Sequence, residues 1–360
     1  MKFNKLLVII FSVFALTGCS KNSGNKITKD NIKVGFIYNG LINDEGYTET
    51  HDAGRKALDK LGIPTLYVEN VSDQGDDAYV PIMDLIAEGC NVIYATSYGF
   101  GPSMLKAADE HPEIIFGHCT GIETRPNLCT YFGKIYQARY LSGIVAGLKT
   151  KTNKVGFVAA YEYPECIRGI NAFALGVQSV NPEAVVEVEW THTWYDPRLE
   201  KEGTLKLLKR GCDVIEQHQD TPAPQLTAQD YGAFCNGYNF NQSAHPVAPN
   251  AYLTAPIFHW DVFIKHDIQR ILEGRWEGKA YWEGFETGVV DLAELSPLCV
   301  PGTIPKVERA KNRIINGDLY IFTGEIYDNQ GNLRVKSGER MSEDEIWVMN
   351  WFVKGVNGKL

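Results

Sequence analysis

YQARYLSGIVAGLKTKTNKVGFVAA, from Tyr136 to Ala160, is the point at which one series of structural elements ends and a second, ordered like the first, begins. Its first half reads as a long helix from Tyr136 to Leu148, with apolar residues on a helical period. The polar turn Lys149 to Asn153 stops that helix, and an apolar run of strand length, Lys154 to Ala159, follows at once.

Upstream, short apolar runs alternate with longer amphipathic ones, as in a parallel α/β sheet. Strands are predicted at Val34 to Tyr38, Thr65 to Glu69, Val92 to Thr96 and Ile114 to His118, with helices at Tyr47 to Leu61, Ala78 to Glu88 and Ser103 to Glu110. Downstream the order repeats. Strands are expected at Lys154 to Ala159, Val185 to Trp190, Val214 to His218 and Phe234 to Gly237, and helices at Pro164 to Val180, Pro197 to Arg210 and Pro222 to Tyr231. The fold class is therefore α/β, with two doubly wound, Rossmann-like lobes of similar size joined by a hinge. Ligands of such sheets bind beyond the carboxyl ends of the strands, and in two facing lobes those ends share one cleft.

The unusual clusters all follow predicted strands. The first half offers Tyr38-Asn39 through Asp44 to Tyr47, Thr96 through Tyr98 to Phe100, and His118 to Gly121. The second offers Tyr161 to Pro164, Thr193-Trp194 to Pro197, Gln217 through Asp220 to Pro222, and Tyr238 to Asn241. Aromatics pooled with amides and carboxylates suit a flat, hydrogen-bonding ligand held between rings. Asp44 and Asp196 precede helices, where N-capping accounts for an acid without any ligand. Asp220, two residues before Pro222, has the same alternative. Any one ring at a strand end also has a bland reading as rim packing; seven loops on one rim favour a site.

At the N-terminus, Lys2 and Lys5 precede an apolar run from Leu6 to Leu16, the length of a signal h-region and too short for a bilayer, which takes about 20 residues. Leu16-Thr17-Gly18-Cys19 then looks like a lipobox, so residues 1–18 are expected to be a signal peptide, Cys19 the lipidation site, and 19–32 a tether. Two acyl chains on Cys19 suffice for stable anchoring to the outer face of the cell membrane. The alternative is an ordinary cleaved signal with an incidental cysteine.

Losing Lys2 and Lys5 takes the formal charge from −9 to −11, which argues against nucleic acid as a partner. The seven other cysteines form no CxxC pair and no even framework, and fit buried thiols better than disulfides. The segment YDNQGNLRV (Tyr327 to Val335) reads as a β-hairpin. A Trp-rich helix after it would put Trp347 and Trp351 on one face, packed against the second lobe.

The stretches VGFIYNGLINDEGYTETHDAGRKAL, YFGKIYQARYLSGIVAGLKTKTNKVGFVAA, RGINAFALGVQSVNP, WYDP, QHQDTPAP and NWFVKGV closely resemble the basic membrane protein family. These are lipoprotein solute receptors of ABC transporters, and their best-understood branch binds purine nucleosides. The resemblance implies a type I periplasmic-binding-protein fold with three hinge crossings. One lobe would comprise residues 33–150 plus about 251–274, the other 151–250 plus about 275–360. It places Tyr47 and Trp194 at the two aromatics that sandwich the base in the family's nucleoside receptors. Where those receptors hold ribose with acids and a lysine, it puts Tyr38, Asn239 and Phe258. Hydroxyls desolvated without partners are costly, so a free purine base is expected rather than a nucleoside. Asp220, Asn239 and His118 would address its ring edge, with Asn39 and Tyr98 completing the lining. A carboxylate at that edge tilts the choice toward adenine, which offers N–H groups.

The resemblance further implies a permease and an ATPase as partners, and a monomeric receptor that does no chemistry. An enzyme could be drawn with His118, His218 and Asp220 as acid and base. No phosphate-cradling glycine loop, HExxH or metal-ligand spacing supports it, so neither cofactor nor metal is expected. A ligand-responsive surface sensor is the other alternative.

Overall fold

The computed structural model describes residues 26–360; the expected signal peptide, Cys19 and the first part of the tether lie outside the described residues. Ile32, at the expected end of the tether, is already buried. The first series runs β1 (Val34–Ile37), α1 (Tyr47–Lys60), β2 (Thr65–Val68), α2 (Tyr79–Ala87), β3 (Val92–Ala95), α3 (Gly101–Glu110), β4 (Ile115–Cys119), β5 (Leu128–Gly133) and α4 (Tyr136–Lys149). The second runs β6 (Lys154–Ala159), α5 (Pro164–Val180), β7 (Val185–Trp190), α6 (Pro197–Lys209), β8 (Val214–His218), α7 (Ala223–Asp230) and β9 (Phe234–Cys235). Beyond them come β10 (Pro256–Phe258), α8 (Trp260–Leu272), β11 (Ala280–Glu283), β12 (Val290–Leu292), α9 (Thr303–Ile315), β13 (Ile326–Tyr327), β14 (Leu333–Val335), α10 (Glu343–Trp347) and β15 (Val356–Asn357).

Two parallel sheets result, with strand orders β11-β5-β4-β3-β1-β2 and β15-β7-β6-β8-β9. β1 and β3 are buried on both faces, as their unbroken apolar runs require. In each sheet the order reverses beside the first strand of its series, β1 or β6, and the loops at those carboxyl ends face the other lobe.

The lobe boundaries differ from the sequence expectation. α4, placed at the end of the first lobe, packs instead on α5: a Cβ on Gly143 would stand 2.2 Å from the Phe173 carbonyl oxygen, and one on Gly176 2.0 Å from that of Tyr140. Its small residues Gly143 and Gly147 let two helices approach at backbone distance, so the chain crosses before α4. α8 lies on α1, with Gly54 against Trp260, Asp261 and Ile264. β11 then pairs with β5 in the first sheet, so the return to the second lobe comes after residue 283, not at about 275. Between the lobes, β10 pairs antiparallel with β12, Asn239 bridges to Ile257, and Gly133 packs against Phe258 and Val290. These passages form the hinge.

The β13–β14 pair is the hairpin read from YDNQGNLRV. α10 is shorter than expected: it opens on a capping box between Ser342 and Glu345 and stops at Trp347, leaving Trp351 outside it. The chain turns there because β15 must reach β7, which it extends in parallel.

Candidate functional site

Between the lobes lies a cleft lined by residues from both. Asn39, Tyr47, Ser97, Tyr98, Thr120 and Phe132 come from the first lobe, and Glu165, Trp194, His218, Asp220 and Tyr238 from the second. Each stands on a strand end or the loop beyond it, except Tyr47 and Glu165, which lie in the first turns of α1 and α5. Trp194 is the shared wall. On one side it faces a polar mouth with Asp44, Asn70, Ser72, Asp73 and Gln74. On the other it faces a more apolar groove with Ile122, Tyr163, Arg168, Trp347 and Val348.

Tyr47 is half-buried, its hydroxyl donating to the Thr96 carbonyl at 2.5 Å. His51 supports it one turn on, with ring centroids 4.5 Å apart. Opposite, Trp194 meets Tyr161 edge-on at 5.1 Å, and Tyr161 stacks on Tyr163 at 5.2 Å. Tyr163 reaches across to Tyr98 at 5.8 Å. The lobes also touch at Gly46, where a Cβ would lie 2.4 Å from the Asp220 carbonyl oxygen.

Five of the nine sequence candidates line the cleft: Asn39, Tyr47, Tyr98, Trp194 and Asp220. Four stand behind it. Tyr38 is fully buried against Phe36 and Tyr67, beneath α1. His118 is held by the Ser97 carbonyl at 2.8 Å, and burial pushes its imidazole down to about 4, so it is neutral. Phe258 stacks on Trp260 at 4.3 Å in the hinge. Asn239, also in the hinge and at φ +65°, donates to Asp220 at 3.3 Å.

Among the described residues, Asp220 takes no other hydrogen bond from a side chain. Burial first, then the charges of Asp44, Glu200 and Glu165, hold its carboxyl well above the usual range. Asp44 accepts from the amides of Gly46, Thr48 and Glu49, so it caps α1 while also reaching the polar mouth. Asp196 caps α6 through the amides of Arg198 and Leu199. Beneath the second-lobe wall, Arg139 pairs with Glu216 at 2.5 Å, both fully buried, and lies 3.8 Å over the Tyr238 ring.

A family model described as ABC transporter substrate-binding protein, PnrA-like, matches residues 31–327. The chain belongs to this family. As a PnrA-like substrate-binding protein it binds a small molecule outside the cytoplasmic membrane for a permease and ATPase, and its family binds rather than catalyses. It is 34% identical over 342 residues to a Haloferax volcanii protein described as an ABC transporter glucose-binding protein, covering 94% of this chain and 84% of that one. A Brucella abortus purine-binding protein is 34% identical over 338 residues, 92% of this chain and 95% of the other. A solved ABC-transporter solute-binding protein from Aeropyrum pernix K1 shares the type I periplasmic-binding fold, with TM-score 0.68 at 18% identity, covering 88% and 95% of the two chains.

For this PnrA-like chain, sequence reasoning left Ser97, Thr120, Phe132, Glu165, His218 and Tyr238 out of the site. All but Phe132 lie in or beside the strand-end loops already singled out, so the loop signal could have found them. Phe132 sits on β5, whose run LCTYFG carries the β-branched and aromatic content of a strand. Among the described residues, no group of His, Cys, Asp or Glu is arranged to hold a metal, and no helix is long and apolar enough to cross a membrane. The seven cysteines after Cys19 are free, and all but Cys299 are buried.

Proposed function

We propose that this protein captures a free purine-type base, adenine before the others, while tethered by a lipid on Cys19. The observation that carries the reading is the pairing of Tyr47 and Trp194 from opposite lobes in one cleft, with Asp220 at its edge. Stacking of a base on an aromatic is worth roughly 1–3 kcal/mol, and the carboxyl group supplies an acceptor for ring or amino N–H. The positions that bear ribose-binding charges in the nucleoside receptors support a bare base: Tyr38 and Phe258 turn their rings into the core and hinge, and offer a diol nothing.

The Brucella relative supports a purine and the Haloferax relative favours one other reading, a hexose, since rings and carboxylates also suit sugars. Calorimetric titration of the full chain with adenine, guanine, xanthine, hypoxanthine, their nucleosides and glucose separates these. Adenine is expected to bind most tightly, and Trp194→Ala to weaken it about tenfold or more. A nucleoside or glucose binding more tightly than every free base overturns the proposal.

A further inference from the structure

Three of the hydroxyls that line the cleft already donate within the protein. Tyr47 donates to the Thr96 carbonyl, Ser97 to Asp73 at 2.6 Å, and Thr120 to the Cys119 carbonyl. Two buried acceptors of the lining stand apart from them. Among the described residues, Asn39 Oδ1 and His218 Nδ1 are both buried without a hydrogen-bond partner. His218 is 3% exposed, at the carboxyl end of β8, between the Trp194 ring at 5.8 Å and the Tyr238 ring at 4.6 Å.

Its other nitrogen is engaged. His218 Nε2 lies 3.4 Å from Glu165 Oε1 and 3.4 Å from the Tyr238 hydroxyl. An ionised carboxylate only accepts, so this contact needs a proton on Nε2, and the Tyr238 oxygen can share it as a second acceptor. Burial raises the Glu165 carboxyl, but His218, Arg168 and Arg139 more than offset that and keep it ionised. Glu165 also opens α5, where the helix N-terminus favours an anion. Burial holds the imidazole neutral. A neutral ring protonated at Nε2 has a bare lone pair at Nδ1.

We infer that His218 reads the ligand's edge by offering Nδ1 as an acceptor to a ring or exocyclic N–H, and that Glu165 is the positioning residue that fixes its tautomer. This rests on the purine-base reading and deepens it: with Asn39 Oδ1 in the same lining, the cleft presents two bare acceptors to heterocycles whose edge carries N–H donors. An amino-substituted ring meets that lining with N–H groups. A ring with a carbonyl at the same place sets oxygen against lone pairs.

Two measurements on the full chain test this. Long-range proton–nitrogen NMR of the empty protein, with His218 assigned by its loss in His218→Asn, is expected to show a protonated Nε2 and a bare Nδ1. In Glu165→Gln the other tautomer is expected to appear and the preference for adenine over hypoxanthine to shrink. By calorimetry, His218→Ala is expected to weaken adenine about tenfold or more. His218→Asn, whose amide oxygen can take the place of Nδ1, keeps most of the affinity and serves if the alanine variant does not fold. A protonated Nδ1 in the empty protein, or adenine binding undiminished in His218→Ala, overturns the inference. A wild-type chain that binds no free base fails the ligand reading instead, and the tautomer spectrum tells the two failures apart.

Discussion

Glu200 is fully buried in α6 below the cleft, where its carboxyl takes the Thr221 hydroxyl and the Asp196 amide. Burial, which those hydrogen bonds offset only in part and Asp196 reinforces, pushes it up to about 7 from an ordinary 4.5. An acid raised on folding binds protons more tightly in the native state, so its contribution is best below the ordinary value and is lost as pH rises toward about 7. Glu200→Gln keeps an acceptor and removes the titration. By calorimetric melting, the wild-type chain should lose more stability than the variant between pH 4.5 and 7; equal slopes would refute the assignment. At this scale the sequence was partly legible. Asp44 and Asp196 follow from their positions before helices, because capping is local. That Asp220 stands among other acids, or that Tyr38 faces the core, depends on residues far away in the chain.

Among the elements, α4 and α5 show why a boundary drawn from pattern alone misplaced a helix. Periodicity predicts α4 to within a residue, since an amphipathic stripe is a local property. It does not say which lobe receives the stripe. Gly143, Gly147 and Gly176 decide that by allowing backbone contact with α5. At Gly176 the obstacle is the Tyr140 carbonyl, which cannot swing aside as a side chain would. Gly176→Ala is therefore expected to destabilise the fold by about 1–3 kcal/mol, read as a lower denaturation midpoint with an unchanged slope. A neutral alanine would mean that the two helices can slide apart freely. Short β5 and β11 were missed for a related reason: their pairing with each other spans a large sequence separation.

For the whole molecule, the contact of Gly46 with Asp220 bears on closure of the cleft. Gly46 ends the loop before α1 in one lobe, and its missing side chain lets the Asp220 backbone of the other lobe approach. Gly46→Ala should prop the lobes apart, raising the radius of gyration in small-angle scattering and weakening ligand binding, with the melting temperature little changed. An unaltered radius with full affinity would show that the contact does not govern closure. The sequence by itself determined the α/β class, the repeat of two series about Tyr136 to Ala160, and the rim of aromatic and acidic loops. Those follow from local periodicity and from where strands end. Only the tertiary structure decided that the chain crosses before α4 and after residue 283, that Tyr38 and Phe258 pack away from the cleft, and that Glu165 and His218 meet inside it. Each of those is a contact between segments distant in the chain, fixed by packing that no local pattern encodes.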